Sequence, residues 1–320
     1  MSVPPPPNQW SPHPITPPPT HPQQKKNSRW KWVLAGVALL LTIGVAVAMI
    51  VLMSAGKNGD TGAARPAPQT ELPLTGLHGP QGMAVDSEDN VYIADIGTRI
   101  GEEQVLKLAP GDTEPTALPF GKVGVVAVAV GPDGTLYALD GIEDRVLKLA
   151  VGDTSPIELP FAGLNQPNGI AVDTSGNVYV ADSQNNRILK LVEGAASATE
   201  LPFTGLNNPF GVAVDTNGNV YVTDSYNDRV LRLTAGGTSP TDLPFAEISG
   251  PNGIAVDASG AVYITEYGGG RVLKLAAGAT VSTELPFTGL KKPWGVAVDS
   301  AGNVYVADYG NKRVWKQATQ

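Results

Sequence analysis

The chain has 320 residues, with 37 glycines, 28 prolines and no cysteine. Disulfides, thiolate metal sites and cysteine nucleophiles are therefore excluded, and so much backbone punctuation argues for short elements joined by turns rather than long helices. The net charge of −8 is unevenly spread: residues 1–32 carry four basic side chains (Lys25, Lys26, Arg29, Lys31) and no acid, leaving 18 basic and 30 acidic residues for the rest. An acidic domain repels phosphate backbones, so no nucleic acid is expected as a partner.

The first 24 residues include ten prolines. Such a stretch cannot form a core and predicts an extended, disordered tail over 1–32, either a docking strip for a proline-reading partner or inert. Residues 33–53 are uncharged and mostly apolar. At about 1.5 Å per residue they span roughly 30 Å, the thickness of a bilayer core, and predict one transmembrane helix. The basic cluster Lys25 to Trp32 stands immediately before it. This predicts a cytoplasmic N-terminus, with Trp30 and Trp32 at the headgroups and everything after residue 53 outside a bacterial plasma membrane. The apolar run is too long, and the polar region before it too extended, for a cleaved signal peptide, so an uncleaved signal anchor is expected. Residues 54–70, rich in Gly, Ala and Pro, read as a flexible tether of about 20–25 Å.

From residue 71 the chain repeats itself. A Leu-Pro landmark recurs at Leu72, Leu118, Leu159, Leu201, Leu243 and Leu285, spaced by 46, 41, 42, 42 and 42 residues. The first interval is long because four extra residues separate Asp95 from Gln104, and the second unit is the most degenerate, with Gly131 where the others carry aspartate. In the fourth unit the apolar runs Gly211–Asp215, Val220–Asp224, Val230–Leu233 and Asp242–Phe245 predict strands a, b, c and d, and Asp-x-x-Gly-Asn between a and b suits a tight hairpin. Four antiparallel strands every 42 residues or so predict an all-β, six-bladed β-propeller over 71–317. The last unit ends after strand c, and the segment Glu71–Leu74 is an orphan strand d. Its pairing beside the last strand c would close the ring and leave no open edge.

The motifs Pro-x-Gly-[Val/Ile]-Ala-Val-Asp, Gly-Asn-Val-Tyr-Val-Ala-Asp and Asn-x-Arg-[Val/Ile]-Leu-Lys-Leu resemble NHL repeats over residues 71–317. With their Leu-Pro-Phe punctuation and the basic segment, helix and tether before them, they are similar to the extracellular sensor domain of mycobacterial receptor serine/threonine kinases of the PknD type. The resemblance implies a ligand-binding sensor. The kinase part is not matched: the 320 residues hold no Gly-rich loop, catalytic Asp loop or Asp-Phe-Gly motif.

Acid–arginine pairs recur in five units: Asp140/Arg145, Asp182/Arg187, Asp224/Arg229, Glu266/Arg271 and Asp308/Arg313. An active site would appear once, so these read as structural ion pairs across each b–c hairpin. Asp86, Asp173, Asp215, Asp257 and Asp299 end strand a and should accept turn amides. Asp215-x-Asn217-Gly218-Asn219 lacks the later bidentate glutamate of a calcium loop and reads as a plain turn. No metal, cofactor or catalytic residue is expected. Lactonase- and lyase-type propellers depend on carboxylate, amide or histidine clusters at the axis, and such an enzyme is the alternative reading.

Six tyrosines occupy one strand b position (Tyr92, Tyr137, Tyr179, Tyr221, Tyr263, Tyr305) and five phenylalanines follow Leu-Pro, marking core. The aromatics left over are Phe210 and Trp294 at the x of Pro-x-Gly, Tyr226, Tyr267 and Tyr309 in b–c loops, and Trp315 in strand c. All but Trp315 should gather on one face over blades 4 to 6, with Asn168, Asn252 and Gln81 at the same mouth position elsewhere. Such a surface suits an envelope ligand (peptide, glycan or protein), a membrane-protein partner among them. The alternative is loop aromatics folded over the rim.

Overall fold

Strand b is the innermost signal of the repeat, since its residues are buried along their whole length. In a computed structural model describing residues 69–97 and 102–318, Val220–Asp224 is covered on both faces by the adjacent sheets. Val220 and Val222 pack towards blade 3 while Tyr221 packs towards blade 5, following the two-residue alternation of an extended chain. The predicted tail and transmembrane helix, and the tether up to residue 68, lie outside the described residues. Among the described residues no helix is long and apolar enough to cross a membrane.

Blade 4 consists of strands a (Pro209–Val214), b (Val220–Asp224), c (Arg229–Leu233) and d (Thr241–Asp242), all antiparallel. The chain forms six such four-stranded sheets. Strand a begins two residues earlier than the apolar run suggests. Pro209 pairs with Asp224, and a bulge at Phe210 and Gly211 precedes the regular ladder that resumes at Val212. Strand d is shorter than expected. Its ladder is two residues long, Leu243 adds one bond to the Val230 carbonyl at 2.8 Å, and Pro244 has no N–H to continue. The phenylalanine that follows turns inward, leaving Phe120, Phe161, Phe203 and Phe245 buried between blades.

The ring closes as expected, through slightly earlier residues. Gln69–Glu71 pairs with Arg313–Gln317 as strand d of blade 6, and Leu72 donates to the Val314 carbonyl at 2.9 Å. Across this seam Ala297, Tyr305, Ala307 and Val314 of blade 6 share a core with Leu74, Leu77, Met83 and Ile93 of blade 1. Gln69 lies opposite Gln317, so the chain enters at the end of the ring that carries the c–d turns.

At the axis, the glycine of Pro-x-Gly brings each strand a against the next blade. A Cβ on Gly211 would lie 2.6 Å from the Asn252 carbonyl oxygen, and one on Gly169 would lie 2.5 Å from that of Phe210. Gly253 and Gly295 abut the Trp294 and Gln81 carbonyls in the same way. Thr223 fastens one such contact: its hydroxyl donates to the Asn252 carbonyl at 2.6 Å and accepts the Gly211 N–H at 2.7 Å. Blade 2 departs here, with Ala127 in place of glycine and its bulge shifted to between Val125 and Ala127.

Removing Gln69–Glu71 should leave Arg313–Gln317 as an open edge, lowering and broadening the thermal transition and promoting aggregation. Calorimetry with light scattering checks this; a transition as sharp and as high as the full chain's would mean that the ring does not depend on the strand.

Candidate functional site

The b–c and d–a loops meet at one end of the ring, where the acid–arginine pairs sit. Arg187 and Arg229 donate Nε to Asp182 and Asp224 at 2.7 Å, Arg313 to Asp308 at 2.9 Å and Arg145 to Asp140 at 3.1 Å, and Arg271 pairs with Glu266. The four aspartates are buried, with side chains 0% exposed, so these are not surface ion pairs. Each carboxylate also holds the d–a loop: Asp224 accepts the Asn207 N–H at 2.7 Å and the Asn227 side chain at 2.7 Å. The arginine reaches outward as well, Arg229 Nη2 donating to the Gly205 carbonyl at 3.0 Å. At the seam, Arg313 lies 3.7 Å from Glu71 of the closing strand. In blade 1 Gln104 replaces the arginine, and Asp95 accepts the His78 and Gly79 amides at 3.0 and 2.8 Å.

The opposite end carries a second repeated device. Asp215 accepts the Asn217 and Asn219 amides, each at 2.9 Å, in a turn where Gly218 has φ +80°. The Tyr221 hydroxyl, on strand b, reaches the same carboxylate at 2.9 Å. Burial pushes Asp86, Asp173, Asp215, Asp257 and Asp299 up, but donated hydrogen bonds outweigh it and hold all five below the usual carboxylate range. Burial and the adjacent carboxylate push Tyr221 up to about 12, and raise Tyr92, Tyr179, Tyr263 and Tyr305 in the same sense. Lysines of strand c cover several of these rings, Lys190 lying 5.1 Å from the Tyr179 centroid. The tyrosine–aspartate bond was not foreseen; the constant six-residue spacing between the two is its sequence signal.

At the mouth of the channel, four of the five aromatics expected on this face come together. Trp294 is the hub: Phe210 packs edge-on at 5.1 Å between centroids, Tyr267 edge-on at 5.7 Å and Tyr309 tilted at 5.3 Å. All four are half-buried. Tyr309 also reaches across the seam against Gly79 of blade 1, and Lys292 lies 5.4 Å from the Tyr267 ring centre. Tyr226 stands apart, 70% exposed, with its loop held by a 3.1 Å bond from its N–H to the Asn207 carbonyl. The amides are less available than expected. Gln81 and Asn252 are buried, and Asn168 spends its side-chain N–H groups on Ser183 and the Gln166 carbonyl. Residue x of Pro-x-Gly sits in the bulge, where its side chain can turn down between blades. Trp315 lies outside the cluster, stacked by Arg313 at 4.4 Å.

Below the mouth, the axis is lined by Met83, Val128, Ile170, Val212, Ile254 and Val296. These apolar side chains offer nothing to move a proton or hold an ion. Among the described residues no group of three or more His, Cys, Asp or Glu side chains is disposed to bind a metal.

The sequence profile of the virginiamycin B lyase family matches residues 68–320, which is the whole propeller. The chain belongs to that family. Among solved members, virginiamycin B lyase from Staphylococcus aureus superposes with a TM-score of 0.59 at 18% identity, over 79% of this chain and 89% of that one. A gluconolactonase from Xanthomonas campestris superposes with a TM-score of 0.66 at 15% identity, over 82% and 93% respectively. At such identities the likeness is one of fold. A nearer sequence relative is the serine/threonine-protein kinase PknD of Mycobacterium tuberculosis, 48% identical over 97 residues. That stretch is 29% of this chain and 14% of the kinase, so the chain matches about a seventh of the kinase's length.

Arg229→Ala leaves Asp224 buried with two of its donors. The loss should lie between the surface-pair scale of about 1 kcal/mol and the buried-pair scale of about 3–5 kcal/mol; a loss below about 0.5 kcal/mol in urea melts would mean that the pair is not structural. The strand a aspartates, lowered in the fold, contribute stability that is complete above pH about 4 and is lost as pH falls through their folded values. Tyr221, raised from about 10 in the unfolded chain, has the opposite dependence: its contribution is complete below pH about 10 and is lost as pH rises towards 12. Tyr221→Phe should cost about 1 kcal/mol at neutral pH and make the alkaline loss shallower. An alkaline limb of unchanged slope would assign that loss to other groups.

Proposed function

We propose that the chain is a membrane-anchored binding or sensor module of the bacterial cell envelope, with its propeller outside the plasma membrane and its ligand on the aromatic mouth. The observation that carries this reading is the Trp294 cluster, whose four rings are additions to the repeat. Blades 3 and 5 carry asparagine where blades 4 and 6 carry Phe210 and Trp294, so the fold has no general need of rings there. Half-buried aromatics grouped at a concave mouth supply contact area with little side-chain entropy to lose on binding. The 48% identity to a segment of PknD, and the resemblance of the repeats to the sensor part of such receptors, favour sensing over catalysis. The apolar axis favours it too. The ligand is a peptide, a glycan or a protein of the envelope, and a membrane protein beside the anchor is one such partner.

Family membership favours a second reading, a lyase or lactonase. Opening of the virginiamycin B ring, or of gluconolactone, by the purified protein would establish it in place of the first.

Replacing Phe210 and Trp294 together by asparagine should leave the melting temperature within a few degrees of the parent while reducing retention of the envelope ligand at least tenfold. Each anchor is worth about 1–3 kcal/mol. Loss of stability comparable to that of Tyr221→Ala would make the cluster rim packing. For the orientation, a reporter fused after Gln320 should be active only outside the membrane; activity in the cytoplasm would overturn it.

A further inference from the structure

Blades 3 to 6 share a residue in the left-handed region just before the proline of strand a: Gln166, Asn208, Gly250 and Lys292, with φ of 45°, 53°, 56° and 53°. In three of them its N–H is capped by a side chain from the b–c loop of the preceding blade. Asp144 accepts from Gln166 at 2.8 Å, Asn186 from Asn208 at 2.7 Å and Asp228 from Gly250 at 2.7 Å. In blades 1 and 2 the corresponding N–H groups, of Gly79 and Gly124, are taken by Asp95 at 2.8 Å and Asp140 at 3.1 Å. At the seam between blades 5 and 6 the capping position is Gly270, which has no side chain to offer, and the Lys292 N–H has no acceptor among the described residues. Gly270 still lies against the blade 6 loop, where a Cβ would be 3.2 Å from the Leu290 carbonyl oxygen.

The same seam is basic. Lys291 and Lys292 are exposed and have no acid within ion-pair distance among the described residues, in a chain of net charge −8. The arginines nearby are already committed to Glu266 and Asp308. Beside the uncapped N–H stand Tyr267, over which the Lys292 ammonium lies, and Trp294 two residues on.

We propose that the blade 5/6 seam binds the carboxylate of an acidic peptide segment, which completes in trans the cap that Asp228 provides within the chain one seam earlier. One carboxylate oxygen accepts the Lys292 N–H, the neighbouring ammonium groups compensate its charge, and an apolar residue beside the acid lies against Tyr267 and Trp294. A peptide acid is favoured because the group that fills this place at the earlier seams is itself a polypeptide Asp or Asn side chain. This rests on the mouth being the ligand face and names the chemistry recognised there.

The test uses the full chain in detergent and an array of capped hexapeptides with a central Asp or Glu next to Leu, Phe or Trp. The matched Asn and Gln peptides and polygalacturonate form the other arms. Acidic peptides should bind, their amide counterparts at least tenfold more weakly, and binding should weaken with salt. Gly270→Asp, which restores the internal cap, should reduce binding at least tenfold without lowering the melting temperature. Lys292→Asn, which has the asparagine of blade 4, is the second variant should Gly270→Asp fold poorly, and should also weaken binding about tenfold. Equal binding of amide peptides, unchanged binding by a folded Gly270→Asp, or no peptide binding would each overturn the proposal. Polygalacturonate bound in place of peptides would overturn the peptide assignment. If peptides bind regardless of charge and the Phe210/Trp294 double variant abolishes this, the mouth remains the ligand face and only the carboxylate is wrong.

Discussion

Six sheets can share one axis only where their innermost strands nearly touch, and in five of them a Cβ at the glycine of Pro-x-Gly would collide with the next blade, blade 2 alone carrying alanine there. Gly169, Gly211, Gly253 and Gly295 each lie against a carbonyl of the next blade, and no L side chain fits the gap. The bulge that precedes them follows from the same approach, because it lifts residue x out of the ladder while Gly211 reaches its neighbour. The place of the mouth side chains follows too: whatever stands at x is delivered to the rim of the channel, buried as in Asn252 or half-buried as in Trp294.

The two ends of the ring are pinned by different chemistry. At the mouth, a buried acid and an arginine hold the b–c hairpin to its d–a loop in blades 2 to 6. At the other end, an aspartate gathers turn amides and a tyrosine hydroxyl from the next strand. Both devices recur blade after blade, and recurrence marks them as scaffold. The irregular positions are therefore the ones free to carry recognition: Phe210, Trp294, the glycine loop 268–270 and the lysines of blade 6.

The architecture was legible because each blade states the same pattern, so errors in one unit are corrected by five others. Strand b, hairpin chemistry and ring closure were all readable from alternation and from the orphan segment at residue 71. The bounds of strands a and d were not, because a bulge at Gly211 and a ladder cut short by Pro244 depend on what the neighbouring blade allows. At the mouth, subtraction of the repeat found Phe210, Trp294, Tyr267 and Tyr309, which do meet. Tyr226 stands exposed apart from them while Gln81 and Asn252 are buried, since sequence position fixes which rim a side chain reaches but not whether it turns up or down. The ion pairs were found, though their burial was not, because the acids are covered by loop backbone that carries no sequence signature.

In five of the six blades strand d is covalently continuous with strand c, and in blade 6 the two are fastened only by the pairing of a three-residue strand, Gln69–Glu71, with Arg313 reaching Glu71 beside it. The polypeptide that precedes Gln69 runs directly into that strand. Any mechanical load on the chain before residue 69 is thus delivered to the fastening before it reaches a single blade. Pulled along its axis, the strand would have to shear all its bonds to Arg313–Gln317 at once; pulled sideways, it would peel from Gln69 one bond at a time. The end of the propeller at which the preceding chain enters is thus also the end that non-covalent contacts alone fasten.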